Sequence, residues 1–64
     1  MTDETLLDTD EAARFLRLPV STLKHFRRTN QGPTYVSLGR RVFYRRVDLV
    51  AYVAANTVET GASA

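Results

Sequence analysis

The sequence predicts a small, mostly helical α+β domain whose elements run α-α-β-β-α. Three observations predict it. Two short stretches with helical apolar spacing, Thr9–Leu16 and Val20–Arg28, lie on either side of Pro19. Two β-rich stretches, Tyr35–Leu38 and Val42–Tyr44, flank Gly39-Arg40-Arg41. A third helical stretch then runs from Val47 to Ala55. At 64 residues there is room for one domain, near the lower size limit for a self-sufficient core.

Each element has a local reason. Residues 1–6 are polar and are expected to be disordered; the domain proper is expected over 7–56, and 57–64 form a flexible Thr/Gly/Ser-rich tail. Asp8 suits an N-cap, and Glu11 three residues on completes a capping box. Ala12, Phe15 and Leu16 then share one helical face. Arg17 and Leu18 make a tight connection, and Pro19 suits the first position of the second helix, where its missing N–H is harmless. Leu23 and Phe26 face the first helix, leaving Ser21, Lys24, His25 and Arg28 as a polar stripe on the opposite side. Thr29 to Pro33 is a turn rich in breakers. Pairing Leu38 with Val42 would put Val36, Leu38, Val42 and Tyr44 on the core face, with Tyr35, Ser37 and Phe43 outward. In the last helix Leu49, Val50 and Val53 form the apolar stripe, and Asp48 sits in the first turn.

Charge carries the functional reading. The formal net charge is only +2, yet all nine Lys and Arg lie between Arg14 and Arg46 and all seven acids lie outside that window. A folded segment with such a charge repels itself unless a polyanion neutralises it. Nucleic acid is the expected polyanion, and double-stranded DNA the expected partner.

Other classes are poorly supported. There is no Cys and a single His, so neither a disulfide nor a metal cluster is expected. No nucleophile–base pairing or Gly-rich phosphate loop is present, so no catalytic residue, enzymatic activity or cofactor is expected. Asp10 and Glu11 read as first-turn acids facing the helix dipole. No apolar run reaches the length of a membrane span, and the acidic start MTDETLLD is no signal peptide. The expected location is the cytoplasm, in association with the nucleoid.

Two short helices joined by a tight turn, the second with a basic stripe, describe a helix-turn-helix; the hairpin after them, with Arg40 and Arg41 at its tip, describes a wing. The expected DNA-binding residues are Ser21, Thr22, Lys24, His25, Arg27 and Arg28 on the second helix, Arg40 and Arg41 on the two-stranded wing, and Arg17 and Arg45 beside them. Arg14 and Arg46 are further phosphate candidates. Arg45 and Arg46 have the alternative of bracing the third helix, and Thr22 of being half buried.

The span Leu7–Tyr52 resembles the small excisionase-like winged helix-turn-helix proteins, relatives of MerR-type DNA-binding domains and AlpA-type regulators. The resemblance rests on Leu7-Asp8-Thr9-Asp10-Glu11-Ala12-Ala13, on Leu16 with Ser21-Thr22-Leu23, on Gly32-Pro33, and on Tyr35-Val36 with Leu38-Gly39-Arg40-Arg41-Val42 and Tyr44-Arg45-Arg46 before Asp48-Leu49. It implies a second helix in the major groove and a wing at a neighbouring minor groove. It further implies a recombination directionality factor of a phage or integrative element, which binds repeated sites, self-associates cooperatively, bends DNA and favours integrase-mediated excision. The chain departs from the family at Pro19, where a capping Ser is usual, and at Phe43, where an Arg is common. Two rivals stand beside this reading: a transcriptional regulator of the same fold, and a protein-interaction adaptor using the basic face with Phe43 and Tyr35 as anchors.

Overall fold

In the computed structural model, which describes residues 5–59, the chain forms β1 (Leu6–Asp8), α1 (Thr9–Leu16), α2 (Val20–Arg28), β2 (Val36–Leu38), β3 (Arg41–Arg45) and α3 (Arg46–Ala55). Three helices surround a three-stranded antiparallel sheet of order β1-β3-β2, the architecture of a winged helix-turn-helix. The wing therefore has one strand more than expected. Leu6, assigned from sequence to a disordered terminus, pairs with Arg45, Leu7 with Tyr44 and Asp8 with Phe43. The Arg46 N–H donates to the Thr5 carbonyl at 2.9 Å and prolongs this ladder. Of the flexible tail expected over 57–64, Thr57 is bonded back to Val53 and Ala54, and residues 1–4 and 60–64 lie outside the described residues.

The start of α1 follows the sequence. The Glu11 N–H donates to Asp8 Oδ1 at 2.8 Å and the Asp8 N–H donates to Glu11 Oε1 at 2.9 Å, a complete capping box. The helix ends at Arg17 in the left-handed region, φ 59, with the Leu18 N–H on the Ala13 carbonyl at 3.0 Å. Glycine is the usual residue there, and an L side chain costs about 1 kcal/mol. Pro19 is the N-cap of α2 rather than its first helical residue, and its carbonyl accepts from Thr22 and Leu23. With no side-chain oxygen at this cap and no acid in the first turn, the start of α2 lacks what α1 has. Gly32 (φ 79) closes the turn after α2; a Cβ there would meet the Phe26 side chain at 2.8 Å.

The core consists of Ala12, Ala13, Leu23, Tyr44 and Leu49, with Leu7, Leu16, Val20, Phe26 and Val42 packed around them. Two alanines on α1 let the helix approach the sheet and its neighbours closely. Phe15, expected in the core, is instead at the surface under the Arg46 guanidinium, 5.6 Å from its ring centroid, and Ala13 takes the inward place. On α3 only Leu49 is fully buried; Val50 and Val53 are about half exposed.

The hairpin register is one residue away from the expected one. Val36 pairs with Phe43, Ser37 with Val42 and Leu38 with Arg41. The cause is the turn: Gly39-Arg40 is a two-residue loop with Gly39 at φ 61 and no positive φ at Arg40, the pattern of a type II′ hairpin. A one-residue slip inverts a strand's faces. Val42 and Tyr44 still face the core, joined there by Leu7 and Ser37, whereas Val36 and Leu38 join Phe43 on the outer face. Tyr35 does not share that face with Phe43: its ring lies 6.2 Å from that of Tyr44, tilted by 58°.

Candidate nucleic-acid interface

The polar stripe of α2 is placed as its spacing requires. Ser21, Lys24, His25 and Arg28 are all exposed, while Leu23 on the opposite side is fully buried. Thr22 is half buried, and its N–H is held by the Pro19 carbonyl at 3.0 Å. The stripe is thus carried by one short helix anchored through Leu23, Val20 and Phe26.

Arg27 departs from its neighbours. It is half buried, and its Nη1 donates to the Tyr44 hydroxyl at 2.9 Å and to Thr9 Oγ1 at 3.3 Å. One guanidinium therefore joins α2 to β3 and to the first residue of α1. Helical spacing puts Arg28 on the polar stripe and Arg27 one turn after Leu23, but the partners that hold Arg27 are fixed only by the fold.

The wing is also divided. Arg40 stands exposed at the turn. Arg41, expected beside it at the tip, is the first residue of β3, with its guanidinium 5.0 Å from the Phe43 ring centroid. This stacking covers Phe43, the residue that departs from the family pattern, and holds the charge along the outer face of the sheet. Lys24 and Arg41 come together across one cleft, lined also by Asp8, Thr9, Asp10 and Val42. The two acids beside them come from the start of α1, so the charge segregation of the sequence is not complete in space. Among the described residues, no carboxylate lies within 4.0 Å of the Lys24 or Arg41 cation.

Arg17 sits exposed in the turn between the two helices and lines a shallow depression with Arg14, Pro19 and Val20. Arg45 takes the bracing role open to it: its Nε donates to Asp48 Oδ2 at 2.8 Å and its Nη2 to Asp48 Oδ1 at 3.2 Å, across the first turn of α3. Arg46 stacks on Phe15. Among the described residues, no three His, Cys, Asp or Glu side chains are grouped to hold a metal ion, and no helix is long and apolar enough to cross a membrane.

The surface is thus a helix face and a hairpin tip bearing cations with no ion partner within 4.0 Å among the described residues, built on a helix-turn-helix. A comparison with curated proteins finds no match. A family model described as a helix-turn-helix domain matches residues 6–57, most of the chain and every element from β1 to α3. The chain belongs to this family of excisionase- and AlpA-like proteins, whose domains are typically non-enzymatic, and is a DNA-binding helix-turn-helix protein.

Proposed function

We propose that the protein is an excisionase: it binds and bends double-stranded DNA at attachment sites and promotes excision by an integrase. The observation that carries the DNA-facing assignment is the exposed stripe Ser21, Lys24, His25 and Arg28 on α2, together with the exposed Arg40 at the hairpin turn. Side chains of these types at helical spacing suit a major groove, where Lys and Arg reach guanine edges or phosphates and Ser reaches either. The first turn of α2, free of acids, adds a positive helix end beside the same stripe. Arg40 and Arg41 serve the wing, and Arg14, Arg17 and Arg46 flank the path of the backbone. Arg27 and Arg45 have their main engagements within the fold and act on DNA indirectly, and Thr22, half buried, stands at the margin of the stripe.

A module this small buries little DNA surface, so one copy binds weakly, with a dissociation constant of about 10⁻⁴ to 10⁻⁶ M away from its specific site. Useful specificity then requires cooperative copies on repeated sites or an integrase beside them, which is the economy of an excisionase. The test is fluorescence-detected bending on DNA carrying repeated candidate sites next to an attachment site. Cooperative binding with bending, and excision only when the protein and its integrase are both supplied, supports the proposal. Isolated, unbent operator binding upstream of a gene would instead make the protein a transcriptional regulator. The adaptor reading loses its combined anchor, because Tyr35 and Phe43 stand on opposite faces of the sheet.

A further inference from the structure

We propose that Arg27 is a positioning residue: through the Tyr44 hydroxyl it locks α2 to the wing, so that the cations of both meet DNA as one surface of fixed spacing. The inference rests on the DNA-facing assignment above. Its ground is the connectivity of the fold. α2 packs chiefly on α1, whereas β3 packs on α1, α3 and the flanking strands. Helix and wing are thus held mainly through α1 as an intermediary. The Arg27 Nη1–Tyr44 Oη bond, 2.9 Å, links them directly, and the 3.3 Å bond to Thr9 ties both to the start of α1.

Stability alone is a poor reason for an arginine here. Both partners are neutral hydroxyls, and among the described residues no carboxylate lies within 4.0 Å of its guanidinium. A half-buried cation without a counter-charge forfeits hydration, and an apolar side chain of similar length would fill the same space. What the guanidinium supplies is geometry, since its rigid fork fixes the distance and direction between the elements it joins. Tyr44 is only 1% exposed and lies at the centre of the sheet, paired to Leu7, so the far end of the tie does not yield. One helical turn before Arg27 stands Lys24, and three residues before Tyr44 stands Arg41; these two line a common cleft. The tie therefore sets the spacing of cations on two separate elements.

A positioning role has a signature that a phosphate contact lacks. Without the tie, helix and wing keep every exposed cation but must be ordered on binding, so affinity falls. The number of phosphates neutralised is unchanged, so the salt slope is unchanged. The experiment measures anisotropy of a labelled duplex across a salt series for the wild type, Tyr44→Phe, Arg27→Met, Arg27→Lys and the Tyr44→Phe/Arg27→Met double variant. Thermal unfolding of each ensures that binding is read on folded protein. Tyr44→Phe keeps the ring in the core and removes only the oxygen; it is expected to weaken binding about three- to tenfold at the wild-type salt slope, the worth of one hydrogen bond. Arg27→Met and Arg27→Lys are expected to lose as much, and the double variant no more than Arg27→Met alone.

Binding by Tyr44→Phe within twofold of wild type overturns the proposal. So does full rescue by Arg27→Lys. A salt slope lowered by about one unit in Arg27→Met, with Tyr44→Phe unaffected, would make Arg27 a phosphate contact instead. Absence of salt-dependent binding by the wild type would sink the DNA-facing assignment itself, a failure seen before any variant is compared.

Discussion

Five cations of this chain stand in two regions with contrasting surroundings. Near the sheet, Arg27 donates to Tyr44 and Thr9, and Arg45 grips Asp48 in a two-bond pair. Along the outer edge of α2 and at the hairpin turn, Lys24, Arg28 and Arg40 are exposed, with no carboxylate within 4.0 Å among the described residues. The first region holds the elements in place; the second is the one we propose for DNA. Charge in a sequence therefore does not declare its use. The same residue type, one position apart at Arg27 and Arg28, is bonded within the fold or exposed according to which side of the helix meets the core.

Substitutions that mix the two regions test that division. The largest effect is expected from Lys24→Ala/Arg28→Ala/Arg40→Ala. The triple variant should melt within a few degrees of wild type yet lose on the order of 100-fold in DNA affinity at moderate salt, its slope falling by about 2.7 units, or about 0.9 for each phosphate lost. Anisotropy titration against calorimetry separates the two readouts. Gly32→Ala does the opposite. It forces a methyl against Phe26 in a left-handed backbone and should cost about 2–4 kcal/mol of stability by denaturant unfolding, with affinity per folded molecule preserved.

Two further substitutions should have smaller effects. Arg17→Gly relieves a left-handed arginine and should raise stability by about 1 kcal/mol in the same unfolding assay. It should also lower the salt slope by about one unit, because the guanidinium is removed. Gain in one readout and loss in the other would show a residue retained at a cost to the fold. Arg45→Ala should be the mildest, below about 1 kcal/mol, since its partner pair is partly exposed, and should leave the salt slope unchanged. A slope change there would move Arg45 to the ligand-facing region.

Most of the fold was legible where its causes are local. The capping box at Asp8 and Glu11, the break at Pro19, the α2 stripe and the glycine turn all declare themselves within a few residues. What escaped depends on distant partners. β1 is three residues long and is a strand only because β3 offers it a ladder. The hairpin register was off by one because Gly39-Arg40-Arg41 reads equally as a two- or three-residue turn, and the difference moves Val36, Leu38 and Arg41 to another face. Phe15 looked like core by spacing, but the close packing of Ala12 and Ala13 leaves it outside with Arg46. For the candidate site, the exposed residues of α2 were readable from periodicity. The tie through Arg27 was not, because it joins residues 17 and 18 positions apart in sequence.

The most direct test of the central claim is the salt dependence of binding to a labelled duplex of about 30 base pairs, for the wild type beside the Lys24→Ala/Arg28→Ala/Arg40→Ala variant. Wild-type affinity should fall steeply with salt, with a log–log slope of about −4 to −6, and the variant should fold normally but keep only about a third to a half of that slope. A wild-type slope near zero, or a variant indistinguishable from wild type, would contradict that claim: the exposed cations would not be facing DNA.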